Sequence, residues 1–191
     1  MDPWKQLLQS DTPELPRTID RRDFLKTITM AAAAVGLSSS VAVQIAKAVE
    51  SGMKPSVIWL HFQECTGCTE SLLRTAHPTV SQLILDLISL DYHETLMAAA
   101  GHQAEKSLHD TMEAQAGKYV CVIEGAIPTK DDGIYCQIAG RTALDIVNDV
   151  ASKAGAIVAI GSCASWGGIP STPPNPTGAS GAPEVLQGKT V

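Results

Sequence analysis

Two thiols are separated by two residues in Glu64-Cys65-Thr66-Gly67-Cys68-Thr69-Glu70. Their thiolates can grip one metal centre, and Gly67 between them suits a tight backbone turn. The pair alone leaves three chemistries open: half of a zinc site, half of an iron–sulfur site, or a redox dithiol. A dithiol oxidoreductase carries an aromatic before its pair and a proline inside it, and neither is present here. A third thiol, Cys163, sits in Gly161-Ser162-Cys163-Ala164-Ser165-Trp166-Gly167-Gly168. Small residues around it let backbone amides approach a bulky anionic ligand, an environment that iron–sulfur clusters need. The other two cysteines read as structural. Cys121 lies inside Val120-Cys121-Val122-Ile123, a packed small hydrophobe. Cys136 follows the turn-forming Asp131-Asp132-Gly133.

The elements that position these thiols follow from short apolar runs. Residues 55–60, 118–124 and 156–160 read as buried strands. A helix over residues 68–76 closes before Pro78. Residues 79–90 read as a helix entering a strand near 87–92. Residues 102–116 read as a polar helix ending at Gly117, and residues 138–154 as an amphipathic helix stopped by Gly155. All-apolar strands alternating with helices predict a parallel sheet covered on both faces, a doubly wound α/β fold. Ligands in such folds sit at the carboxyl ends of the strands. Cys65 and Cys68 follow the first strand, Glu124 and Gly125 end a middle one, and Cys163 follows the last. Three distant cysteines are thus expected at one edge of one sheet.

Composition narrows the class further. The 191 residues are 45% hydrophobic and 18% charged, ordinary for a globular chain. Aromatics are 4% and the net charge is −6, with eight basic against fifteen acidic residues beyond residue 48. An acidic body lacks the electrostatic footprint of a nucleic-acid partner. Residues 1–48 read as an address rather than part of the fold. Arg21 and Arg22 precede Phe24-Leu25-Lys26, residues 27–46 carry no charge, and Ala46-Lys47-Ala48 offers a small-residue cleavage site. The segment resembles a cleavable twin-arginine signal, although Asp20 stands where that pattern has Ser or Thr. That route exports folded chains, commonly those loaded with a metal cofactor inside the cell. No later stretch is apolar enough to span a membrane.

Several motifs together resemble the small subunit of exported, uptake-type nickel–iron hydrogenases. They are Glu64 to Ser71, Arg74 with His77-Pro78, Glu124-Gly125-Ala126-Ile127-Pro128, Asp132 to Cys136, and Gly161 to Gly168. The likeness covers essentially all of 54–191. It implies that residues 49–191 form a flavodoxin-like domain holding a proximal 4Fe–4S cluster. It also implies a partner, the hydrogenase large subunit with its Ni–Fe centre, and a membrane-associated electron acceptor in the periplasm. By the same resemblance Cys65, Cys68 and Cys163 are cluster ligands. Glu124 is a carboxylate beside the cluster, and Glu64 faces the large subunit. Glu64 and Glu124 also stand as candidates for a proton route, against a cluster-orienting or interface role. No residue of the chain is expected to make or break bonds. Gly67 and Gly168 stand where oxygen-tolerant members carry extra cysteines, so an ordinary proximal cluster and oxygen sensitivity are expected.

The chain departs from the family in one respect. The family's fourth proximal ligand lies in a Gly-Cys-Pro-Pro motif just past the region resembling 183–191, and the given sequence ends before it. The further 3Fe–4S and 4Fe–4S clusters of the family lie in its C-terminal half. The expectation is therefore a fragment or a prematurely terminated gene, with a genuine short protein of a different role as the alternative. Three thiolates hold a 3Fe–4S cluster, or a 4Fe–4S cluster with an exchangeable iron. Three rivals remain at this point. Quinone-reductase iron–sulfur subunits share the expected fold but pair adjacent cysteines, which this sequence lacks. A non-enzymatic module with zinc on Cys65, Cys68 and Cys163 is the second, and a secreted dithiol oxidoreductase, with thiol–disulfide activity and no need for Cys163, is the third.

Overall fold

The computed structural model describes residues 54–191. The expected leader over residues 1–48 lies outside the described residues. Four strands form one parallel sheet: β1 (Ser56–His61), β2 (Ser89–His93), β3 (Val120–Glu124) and β4 (Ala156–Ile160), in the order β2-β1-β3-β4. All six residues of β1 are buried, which is why its sequence Ser-Val-Ile-Trp-Leu-His is apolar on both faces up to its last residue.

Parallel neighbours need a crossover, and helices supply it. They are α1 (Gly67–Leu73), α2 (His102–Ala114) and α3 (Ala143–Lys153); α4 (Gly161–Trp166) follows the last strand of the sheet. One sheet face, with Ile58, Leu60, Cys121, Ile123 and Ile157, packs against Leu108 and Met112 of α2 and Ile146, Val147 and Val150 of α3. The other face carries Val57, Trp59 and Val122, against Leu72 of α1. The sheet is therefore covered on both sides, as expected. Its order is the flavodoxin-type one, which reverses direction between β1 and β3. The crevice at the carboxyl ends of those two strands is where such folds bind ligands.

Two elements differ from the sequence expectation. The helix expected from residue 138 begins at Ala143. Residues 137–138 pair instead with 141–142 across a turn in which Ala139 and Gly140 take φ of 52° and 78°. Thr142 then caps α3, its hydroxyl accepting from the Asp145 N–H at 3.1 Å. Residues 79–90 contain a single helical turn at Val80–Gln82, running into a π-helical turn at Leu83–Leu87 before β2. Among the described residues no helix is long and apolar enough to cross a membrane.

Beyond β2, the Tyr92 hydroxyl lies 3.1 Å from Glu94 Oε1 and 3.4 Å from Glu105 Oε1. One proton cannot serve both. Burial above all, with the charges of Glu105 and Glu64 and against the Tyr92 hydrogen bond, brings the Glu94 carboxyl up to about 7. Cys136, half-buried beside them, is also pushed up, by burial and then by Glu94. The stability that a neutral Glu94 contributes is fully present below the unfolded value near 4.5 and is lost as pH rises through 7. Glu94→Gln should remove about 2 kcal/mol of that pH-dependent loss, allowing for the solvent that reaches the group. Urea unfolding at pH 5 and pH 8 measures it.

Candidate metal centre

Cys65 and Cys68 follow β1, with Cys68 at the second position of α1. Cys163 is the third residue of α4, which starts directly after β4. The small-residue stretch is thus helical where it carries the thiol. Cys121 is fully buried in mid-strand and pushed up to about 12 by that burial. Cys136 packs against the main core. Both sit where the sequence reading put them.

Cys65 and Cys163 both lie close enough to Cys68 to act on its thiol. Burial, then the Glu124 carboxylate, then Cys163, Cys65 and Glu64 push the Cys68 thiol up. Its Sγ lies 3.7 Å from the Ile160 carbonyl at the end of β4. Glycines make room for each sulfur. A Cβ on Gly161 would sit 2.4 Å from Cys68 Sγ, one on Gly168 3.0 Å from Cys163 Sγ, and one on Gly67 3.1 Å from Cys65 Sγ. Gly161 also has φ of +76°, which L side chains rarely adopt. Gly67 does not make the tight turn expected of it. Thr66 takes the left-handed conformation, with φ of 63°, and Gly67 supplies space.

Glu124 positions the Cys68 helix. Thr66 precedes α1 but offers it no side-chain cap. Glu124 Oε1 takes that part, accepting from the N–H of Cys68 at 3.1 Å and of Thr69 at 3.2 Å. Its Oε2 accepts from Trp59 Nε1 at 3.0 Å and from the Thr69 hydroxyl at 2.6 Å. Four donors fill the four lone-pair positions of a carboxylate that is 1% exposed. A buried carboxylate is tolerable only with partners of this kind.

Glu64 lies beside it. Its Oε1 accepts from the Thr66 hydroxyl at 3.2 Å and lies 3.4 Å from His61 Nδ1, while its buried Oε2 has no partner. His61 and His93, both buried, sit next to these carboxylates. Sequence reading missed this pair along with Trp59 and Thr69. The signal for two of them was present: His61 and Trp59 are two apart on β1, so they share a face with Glu124, which pairs with His61 across the sheet.

Among the described residues, one set of three metal-binding side chains has ligand atoms within 4.8 Å of one another: His61, Glu64 and Glu124. Glu124 is already saturated by donors, so this set is a hydrogen-bonded network rather than an ion site. Cys65, Cys68 and Cys163 are not so tightly grouped. One tetrahedral zinc ion needs thiolates about 3.8 Å apart, from zinc–sulfur bonds of about 2.3 Å. The three thiols suit a larger inorganic core. They are soft donors, glycine-spaced and edged by helix N-termini, which fits an iron–sulfur cluster.

Residues 65–191 match the family model described as NADH ubiquinone oxidoreductase, 20 Kd subunit. The chain belongs to that family. It is 53% identical over 173 residues to the hydrogenase-2 small chain of Escherichia coli K12, covering 91% of this chain and 46% of that one. It is 48% identical over 171 residues to the periplasmic NiFe hydrogenase small subunit 1 of Nitratidesulfovibrio vulgaris Hildenborough, covering 90% and 54%. A solved structure of a recombinant NiFeSe hydrogenase from Desulfovibrio vulgaris Hildenborough superposes with a TM-score of 0.69 at 37% identity, over 71% of this chain and 50% of that one. The chain spans about half the length of the curated relatives it matches.

Gly161→Ala tests the space around Cys68. The added methyl cannot coexist with the thiol at 2.4 Å. The variant should fold, with stability lowered by about 1–3 kcal/mol, and lose most of its capacity to take up iron during reconstitution. Ser162→Ala, one residue on, should retain it. Iron content per chain is the readout.

Proposed function

We propose that this chain is the cluster-bearing part of the electron-transfer small subunit of an exported nickel–iron hydrogenase. The observation that carries the reading is the meeting of Cys65, Cys68 and Cys163 at the carboxyl rim of β1 and β4, each facing a glycine. These thiolates hold a proximal iron–sulfur cluster of the 4Fe–4S type. When bound, such a cluster accepts and passes on single electrons with little change of shape.

The chain's own residues bind and orient. Gly161, Gly168 and Gly67 leave volume against the sulfurs. Glu124 fixes the first turn of α1 and with it the Cys68 backbone.

A partner surface is supported by exposure beside the rim. Trp166 is 71% and Ile169 84% exposed, one at the end of α4 and the other three residues on. Apolar side chains so placed favour burial by another chain. The partner in this reading is the large subunit that carries the Ni–Fe centre. Its relatives' names include periplasmic and uptake hydrogenases, which supports export to the periplasm by the twin-arginine leader and electron delivery to a membrane-associated acceptor.

The zinc-module rival is disfavoured by the thiol spacing. A quinone-reductase subunit, the name attached to the family model, is disfavoured by hydrogenase relatives at 44–53% identity.

The chain, produced anaerobically with its nickel-bearing partner, should be brown. It should carry about three to four irons with matching acid-labile sulfide. A colourless protein with neither, or with zinc in their place, overturns the reading.

A further inference from the structure

Glu124 fixes Cys68 and α4 carries Cys163, but Cys65 lies exposed on the loop between β1 and α1. A distant stretch of chain reaches that loop. After α4, the Gly167 N–H donates back to the Cys163 carbonyl at 3.0 Å. Gly168 passes so close that an added Cβ would sit 2.9 Å from the Cys163 nitrogen. Both glycines take positive φ, 92° and 51°. The chain thus turns sharply against Cys163 and runs on through residues 169–181 as a strap.

The strap is tied first to the segment that leaves β3. Ile127 pairs with Ser180 and Pro128 with Ala179, antiparallel. The Thr129 N–H donates to the Gly178 carbonyl at 3.1 Å, and the Lys130 N–H to the Thr177 carbonyl at 3.2 Å. The Thr129 hydroxyl adds a bond to the Gly178 carbonyl at 2.8 Å. Asn175 braces the strap from within: its Oδ1 accepts from the Ala179 N–H at 2.8 Å, and its Nδ2 donates to the Ala179 carbonyl at 3.1 Å. The place of the strap beside β3 is therefore set by backbone pairing.

The segment that leaves β1 joins them through Gln63. Its N–H donates to the Ala126 carbonyl at 3.1 Å, and its carbonyl accepts from the Ala126 N–H at 2.8 Å. Gly125 permits that approach. Its φ is 97°, and an added Cβ would meet the Phe62 and Gln63 backbones at 2.9–3.0 Å. The Gln63 side chain then reaches the strap, where its Oε1 accepts from the Thr177 hydroxyl at 3.3 Å. Both side chains are half-buried, which shields the bond in part from water. The two residues are 114 apart in sequence, and Gln63 is two residues from Cys65.

We propose that Gln63 is a positioning residue: by its contact with Thr177 it ties the loop that carries Cys65 to the strap that leaves Cys163, and so holds the two sulfurs at one spacing. Gln63 touches no metal ligand with its side chain and acts through the backbone that it anchors. Without the latch, the Cys65 loop keeps its pairing to Ala126 but loses its link to the strap. The effect on the metal centre rests on the cluster reading above; the effect on the loop does not.

The anaerobically assembled complex carries the test. Thr177→Val and Gln63→Met remove the donor and the acceptor with little change of volume. Each should release iron to a chromogenic chelator about three- to tenfold faster than wild type, the range expected for one neutral hydrogen bond. Each should also shift the EPR g-values of the reduced cluster. The double variant should release iron no faster than the quicker single one, because both changes break the same contact. Thr177→Ser, which keeps the hydroxyl, should match wild type in rate and spectrum. Unchanged release or an unchanged spectrum in either single variant overturns the proposal. So do additive effects in the double variant, or a Thr177→Ser complex that behaves like Thr177→Val. If Thr177→Val does not assemble, Gln63→Met decides. A wild-type complex without iron overturns the cluster reading alone. Hydrogen exchange of residues 62–66 in that complex then decides the latch: Thr177→Val should speed it, and an unchanged rate contradicts the role of Gln63.

Discussion

A single buried carboxylate ties the sheet to the thiols. Glu124 ends β3 with no solvent contact, and it accepts four hydrogen bonds from β1 and α1. Leaving any of those donors or lone pairs unpaired would cost about 1–3 kcal/mol each, and more for the charged partner. The geometry is therefore over-determined: strand, tryptophan and helix end are held to one another by a group that cannot be satisfied any other way. Cys68 sits at the second position of that helix, so its sulfur inherits the fixed position. The same logic explains why α1, seven residues long and without a side-chain cap of its own, is well defined.

Packing builds the rest of the rim from its backbone. The sheet order places the reversal between β1 and β3, and the loops that leave β1 and β4 must then approach each other above it. The approach is close enough that a side chain is excluded at Gly161, where a Cβ would collide with the Cys68 sulfur. Volume for an inorganic core is thus written as absent side chains. Charge is handled differently. Two carboxylates stand beside three thiols; among the described residues no Lys or Arg is bonded to them, and His61 Nδ1 lies 3.4 Å from Glu64 Oε1 and 3.7 Å from Glu124 Oε2.

Much of this was legible in the sequence, for identifiable reasons. β3 is apolar up to its final Glu124 and β4 is apolar throughout, and the β4 boundaries agree to the residue. The thiols were legible because strand-end positions follow from strand runs. The start of α3 was not, because the hairpin over 137–142 depends on Ala139 adopting a positive φ that no propensity predicts. The cap made by Glu124 was not derivable from spacing, since 56 residues separate it from Cys68. Its place beside a cluster came only from family resemblance. His93 was invisible for a sharper reason. Its face depends on one extra residue in β2, and a single-residue slip inverts the parity of every later side chain in a strand.

The account rests on an iron-containing core held between sulfurs from three separate places in the chain. Anomalous diffraction from crystals of the anaerobic complex, recorded at the iron and zinc absorption edges, tests it directly. The account predicts an iron-edge peak within bonding distance, about 2.3 Å, of Cys65, Cys68 and Cys163 Sγ. A zinc-edge peak there, or no anomalous density with the three sulfurs in mutual contact, would contradict it.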